Sequence, residues 1–154
     1  MHAQRVNTAE EDLRLWIQAK ARPYKILMID DDPDLFDLVR LGSEKFNRVI
    51  IPAGSGEDGL RLFSEDKPDM VWLDIKMPGT DGLEVFRSIR SMDKIVPCVI
   101  VSGYFNEAYI RAISRIGITL MLQKPDQITP ENVDIVMRHF NVAEMASAKP
   151  PLYL

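Results

Sequence analysis

Cysteine is almost missing from this chain: among 154 residues there is one, Cys98. No internal disulfide can form, and that usage fits a reducing compartment. Histidine is nearly as scarce, with two residues in all. His139 stands alone among apolar neighbours, so it does not read as a metal ligand. No apolar run approaches the ~18 residues that a membrane-spanning helix needs. The opening MHAQRVNTAEEDLR turns acidic before any apolar stretch begins, unlike a secretory leader. Positive charge is not in excess either: 19 Lys and Arg face 23 Asp and Glu, for a net charge of −4. A binder of nucleic-acid backbone needs a basic face. These absences point to a cytoplasmic protein without membrane insertion and without direct nucleic-acid contact. What remains is ordinary core material, 46% hydrophobic and 27% charged, enough for one domain that folds without a staple.

Five short apolar runs punctuate the chain, at 26–29 (ILMI), 49–51 (VII), 70–73 (MVWL), 98–101 (CVIV) and 118–122 (ITLML). Each is too short for a helix and rich in branched residues, as buried parallel strands are. Between them the period lengthens to that of a helix. Leu35, Leu38, Val39 and Phe46 share a face over 33–46. Tyr109, Ala112, Ile113 and Ile116 do so over 105–116, and Val133, Val136, Met137 and Phe140 over 130–140, where Thr129-Pro130 supplies a cap and a first-turn proline. Segments 56–65 and 82–92 fill the other gaps. The expectation is an α/β (βα)5 fold, a doubly wound parallel sheet covered on both faces. Pro52 interrupts the second strand and cannot donate to a ladder, which puts that strand at an edge and favours the order 2-1-3-4-5. Ligands of such sheets bind beyond the carboxyl ends of the strands, between the first and third.

The residues expected at those ends are distinctive. Strand one runs into Asp30-Asp31-Asp32, strand three into Asp74, strand four into Ser102 and strand five into Lys124-Pro125. Carboxylates converging in one crevice repel one another unless a cation joins them. A hard divalent ion held by one or two carboxylates, waters and a phosphate oxygen describes Mg2+. Lys124 suits a phosphate as a point charge, and the Ser102 hydroxyl can donate to a phosphoryl oxygen. A carboxylate such as Asp74 can act as a nucleophile and form an acyl phosphate.

The segments ILMIDDDP, PDMVWLDIKMPGTDGLEV, VIVSG and LQKP resemble the four signature segments of response regulator receiver domains of two-component systems, in the same order and spacing, over residues 24–140. The fold this resemblance implies is flavodoxin-like, as in the chemotaxis regulators. It also implies a phosphorelay function: Asp74 takes a phosphoryl group from a histidine kinase or phosphotransfer protein. Mg2+ is held by Asp30, Asp31, Asp74 and the backbone carbonyl of Lys76. Lys124 binds the phosphoryl group, and Ser102 moves toward it as the switch for a downstream protein. Such a domain catalyses only its own phosphorylation and dephosphorylation. The output surface expected by analogy is formed by the fourth helix, fifth strand and fifth helix of the (βα)5 unit.

Two departures stand out. Met121 occupies the place, three residues before the strand-five lysine, where the family usually carries Tyr or Phe; Tyr104 and Phe105 are the candidates to replace that aromatic. Lys76 and Tyr104, two residues past Asp74 and Ser102, are not water-orienting acids or amides, so slow self-dephosphorylation is expected. Around this unit lie an N-terminal helical extension over 1–23 and a C-terminal tail over 141–154. Thr8 and Glu11 read as a capping box for a helix over 8–22 with a Leu13, Trp16, Ile17 stripe. That stripe is expected to pack on its own domain; homodimerisation or kinase docking are the alternatives. No DNA-binding or catalytic segment follows residue 140, so a stand-alone receiver is expected.

Competing readings are a scaffold that is never phosphorylated, which Met121 leaves open, and a nucleotide-binding enzyme on a similar fold. The second draws on Gly54-Ser55-Gly56-Glu57-Asp58-Gly59, a literal G-x-G-x-x-G. The dinucleotide fingerprint belongs to the first strand–helix turn, however, and this stretch follows the second strand. It reads instead as a tight loop. Asp32 reads as the cap of the first helix of the unit rather than as a ligand. Cys98 reads as a buried, inert thiol, and the eight methionines as core filler.

Overall fold

The five apolar runs become the strands of one parallel sheet. The computed structural model describes residues 8–117, 120–140 and 142. In chain order the elements are α1 Ala9–Ala21, β1 Tyr24–Ile29, α2 Pro33–Gly42, β2 Arg48–Ala53, α3 Gly56–Asp66, β3 Met70–Asp74, β4 Lys76–Met77, β5 Thr80–Asp81, α4 Gly82–Met92, β6 Cys98–Ser102, α5 Glu107–Ile116, β7 Leu120–Gln123 and α6 Pro130–His139. The large sheet runs β2-β1-β3-β6-β7, every pairing parallel. Counted among these five strands alone, that is 2-1-3-4-5. β2 lies at the edge, and Pro52, opposite Met28, lacks its amide proton where one flank of the strand has no partner.

Alternation along the strands divides the core in two. Leu27, Ile29, Val71, Leu73, Cys98 and Ile100 point to one face, where they meet Phe63 of α3, Val85, Phe86 and Ile89 of α4 and Ile113 of α5. Ile26, Met28, Met70, Trp72, Val99 and Val101 point to the other and meet Leu35 and Val39 of α2 with Val133, Val136 and Met137 of α6. A strand buried on both sides reads as an unbroken apolar run for this reason.

Some elements depart from the expected spans. α2 stops at Gly42 rather than reaching residue 46, because the Ser43 hydroxyl donates to the Val39 carbonyl at 2.6 Å and a turn follows. Phe46 still reaches the core, at 1% exposure, from outside the helix. α5 starts at Glu107 rather than residue 105, since the Asn106 side chain accepts the Tyr109 N–H at 2.8 Å and so caps it. α6 ends one residue early, at His139. Directly after β3 a two-stranded hairpin, β4 and β5, turns through Pro78-Gly79 with Gly79 at φ +70°, a Pro-Gly pairing suited to a type II turn. The expected capping box is present: the Glu11 N–H donates to Thr8 Oγ1 at 3.2 Å and the Thr8 N–H to Glu11 Oε2 at 3.0 Å. On the expected packing stripe of α1, Leu13 is partly buried and Ile17 is exposed. The Trp16 side chain, Ile118 and Thr119 of the fifth run, and the tail apart from Val142 lie outside the described residues. Among the described residues no helix is long and apolar enough to cross a membrane.

Candidate functional site

The sheet delivers Asp30, Asp74, Ser102 and Lys124 to the carboxyl ends of its strands. β1 ends at Ile29, and the Asp30 N–H still donates to the Ala53 carbonyl of β2 at 3.0 Å, which fixes the direction in which Asp30 leaves the strand. Asp32 then caps α2: its Oδ1 accepts the Asp34 N–H at 2.9 Å, and Pro33 opens the helix. Capping is thus the role of Asp32, as its position suggested. Asp74, the last residue of β3, pairs with Val101 of β6. Lys124 follows β7, and its N–H donates to the Ser102 carbonyl at 2.8 Å, tying the ends of β6 and β7 together.

These residues meet. Asp30, Asp31 and Asp74 each offer a carboxylate oxygen, and the three atoms lie within 4.8 Å of one another. Lys124 Nζ stands 2.6 Å from Asp30 Oδ2 and 3.2 Å from Asp74 Oδ2, with the two carboxylates 3% and 6% exposed. The remaining oxygens accept backbone amides: Asp30 Oδ1 from Asp32 at 2.8 Å, Asp74 Oδ1 from Lys76 at 3.0 Å. Burial pushes the Asp74 carboxyl above the ordinary carboxylate range and the charge of Asp31 adds to the shift, against the Lys76 amide and Lys124. Burial likewise raises Asp30, opposed by Lys124 and the Asp32 amide. For Lys124 burial acts downward, but Asp30 and Asp74 outweigh it and hold the ammonium above its usual value. One ammonium therefore faces three carboxylates, two of them buried. An all-oxygen donor set with surplus negative charge fits a hard divalent cation such as Mg2+ rather than zinc or copper.

Ser102 occupies the end of β6 next to this cluster and is fully buried. Its hydroxyl donates to the Tyr104 carbonyl at 3.0 Å and accepts the Tyr104 N–H at 3.2 Å, so in this state it is engaged with its own loop. Met121 is partly buried against the core cluster that includes Ile113 of α5, as are Phe105 and Tyr109. The side chains of Lys76 and Tyr104 were expected beside the site only as groups that do not orient water; Lys76 Nζ lies 5.6 Å from the Tyr104 ring centre and 5.0 Å from that of Tyr109. Positions 76 and 104 were linked by their places two residues past Asp74 and Ser102; no spacing rule links Tyr109 to them, and the sheet order brings it in.

The glycine-rich stretch is explained by packing. A Cβ on Gly59 would come within 2.5 Å of the Ile29 side chain, and one on Gly56 within 2.5 Å of Thr80, while Ser55 caps α3 by accepting the Asp58 N–H. These small residues let α3 lie against β1 and the hairpin. Cys98 is buried, with its thiol pushed up to about 11 by burial, as an inert core cysteine should be.

A family model described as the response regulator receiver domain matches residues 26–133. A probable C4-dicarboxylate response regulator of Bacillus subtilis is 31% identical over 129 residues, covering 82% of this chain and 51% of that protein. The chain thus spans about half the length of that relative. Among solved structures, the N-terminal domain of an uncharacterized protein from Wolinella succinogenes is 31% identical with a TM-score of 0.67, over 77% of this chain and 94% of that one. The Vibrio cholerae chemotaxis protein CheY4 shares the fold, at TM-score 0.69 and 20% identity, over 77% of this chain and 99% of its own.

Proposed function

This chain belongs to the response regulator receiver domain family, and from that premise we propose that Asp74 is its phosphoacceptor. The Asp74 carboxylate attacks the phosphorus of a phosphohistidine donor. The P–O bond forms as the P–N bond breaks, and the imidazole leaves with the electron pair and takes a proton. Asp30, Asp31, Asp74 and the Lys76 carbonyl would hold Mg2+, which would supply charge neutralisation for the transferred group. Lys124 stays beside the phosphoryl oxygens, and the Ser102 hydroxyl turns from Tyr104 toward them. The domain spans 24–140, flanked by the extension 1–23 and the tail 141–154, and acts in the cytoplasm between a histidine kinase or phosphotransfer protein and a downstream protein. With Lys76 and Tyr104 in place of water-orienting groups, the acyl phosphate is long-lived.

The observation that carries this reading is the charge imbalance: three carboxylates within 4.8 Å of one another and one ammonium between two of them. A scaffold that never meets phosphate has no use for such a crevice. The test is incubation with acetyl phosphate and magnesium, followed by intact-mass measurement. A gain of one phosphoryl group, absent in Asp74→Asn, is expected. No gain, or a gain that survives Asp74→Asn, refutes the assignment.

A further inference from the structure

Lys76 stands two residues past Asp74, and its N–H holds Asp74 Oδ1. Its side chain is exposed, and the ammonium lies over two rings, at 5.6 Å from the centre of Tyr104 and 5.0 Å from that of Tyr109. Tyr104 belongs to the loop after β6 and is 59% exposed; Tyr109 sits in the first turn of α5. Tyr104 is gripped a second time through its backbone, whose N–H and C=O both bond the Ser102 hydroxyl. Two groups adjoining Asp74 are therefore both spent on Tyr104, and one of them also on α5.

An ammonium over an aromatic face is a modest attraction at an exposed site. A phosphoryl group on Asp74 brings close to two negative charges and three strong acceptors. An exposed lysine rooted two residues away has the reach to exchange one partner for the other, and charge against charge is the stronger contact. The bland alternative is a surface lysine resting on whatever rings are near; it predicts that the rings ignore the lysine's charge.

We propose that Lys76 is the relay between Asp74 and α5: over Tyr104 and Tyr109 while Asp74 is free, and drawn to the phosphoryl group once Asp74 carries one, which releases both rings. This rests on Asp74 being the phosphoacceptor. It assigns the coupling to Lys76 and a tyrosine pair, in a chain where Met121 fills the position of the family's usual aromatic.

The experiment uses the full chain with 13C-labelled tyrosine rings, beryllofluoride and magnesium, and the 19F signal of bound beryllofluoride as a separate readout. In the parent protein the Tyr104 and Tyr109 ring resonances shift on binding. In Lys76→Met, which keeps the length and the backbone groups and removes the charge, they start near the bound position and move by a small fraction of that shift, compared at beryllofluoride concentrations that give the parent and the variant the same bound 19F signal. Tyr109→Leu, as a second variant, leaves the Tyr104 response smaller but present. If 19F shows binding and the rings shift equally in the parent and in Lys76→Met, or in neither, the relay is refuted while the phosphoacceptor assignment stands. If no bound 19F signal appears in the parent protein, both fall together.

Discussion

β3 begins just after one aspartate and ends on another, and the two are balanced in opposite ways. At the amino end, Asp69 Oδ1 accepts from Arg22 Nη2 at 2.8 Å and Oδ2 from the Lys25 N–H at 2.8 Å, while its carbonyl accepts the Tyr24 hydroxyl at 3.1 Å and its N–H donates to the Lys25 carbonyl at 2.8 Å. One acid has one cation, and every polar group of the residue has a partner. The Tyr24 hydroxyl, pushed up to about 12 by burial first and by Asp69 second, stays a donor throughout the ordinary pH range. At the carboxyl end, Asp74 shares Lys124 with Asp30 while Asp31 stands beside them. Both residues terminate the same strand. A charge matched one-for-one is a structural joint, and a surplus of like charge in a buried crevice favours the binding of a cation.

The largest expected effect follows from that surplus. Magnesium should stabilise the protein by about 2.7 kcal/mol when present at 100 times its dissociation constant, read as a rise in melting temperature. Asp30→Asn should lose most of the rise. An Asp69→Ala protein, with its carboxyl-end crevice untouched, should keep all of it. A melting temperature indifferent to magnesium would erase the distinction between the two ends.

Next in size is Asp69→Ala itself. It strands the Lys25 amide and removes the partner of Arg22, so a loss of about 2 kcal/mol is expected in urea unfolding. Asp74→Asn should do the opposite in the absence of divalent ions. It removes one of three crowded carboxylates and leaves the Lys124–Asp30 pair intact, for a gain on the order of 1 kcal/mol. The pH dependence has the same sign. Asp30 and Asp74 titrate above the usual range, so the folded state holds their protons more tightly than the unfolded chain. Metal-free stability from this pair therefore rises as pH falls through their raised values, and levels off below the ordinary carboxylate value. Lys124 is raised too; its contribution is present below the ordinary lysine value and disappears as pH rises through the raised one. Asp74→Asn should flatten the acid-side rise. A destabilised Asp74→Asn protein would mean that the crevice is balanced after all.

The strand ends were legible because a parallel sheet buries its strands on both faces, leaving apolar runs whose boundaries are abrupt. ILMI stops at Asp30, MVWL at Asp74, and CVIV at Ser102, so the convergence of those side chains follows from the strand order, and Pro52 pointed to that order. Elements set by side-chain capping were less visible. Nothing in the periodicity of 33–46 reveals that the Ser43 hydroxyl turns back on Val39, and Phe46 continues the apolar pattern from beyond the helix. The hairpin of Lys76–Met77 with Thr80–Asp81 is too short to carry a period at all. The same limit hid the approach of the Lys76 ammonium to Tyr109, which comes from beyond the next strand. It also hid the direction of the Ser102 hydroxyl, which depends on the course of the loop after β6 rather than on the strand that carries it.

The smallest effect sharpens the comparison most. Arg22 is the cation of the balanced end, but its side chain is 58% exposed, whereas Lys124 at the other end is 19% exposed. An exposed pair contributes little because solvent screens it and a long side chain must be held still. Arg22→Ala should therefore cost about 0.5 kcal/mol, an effect that fades in high salt. The Lys25 amide and the Tyr24 hydroxyl still hold Asp69 in place when Arg22 is gone. Lys124→Ala leaves two buried carboxylates with no ammonium between them, a much less tolerable state, and its loss should be recovered largely by magnesium. Arg22→Ala should show no such recovery. If both substitutions respond to magnesium alike, then the cation acts on the protein's overall charge rather than on one crevice, and the contrast between the two ends of β3 loses its chemical meaning.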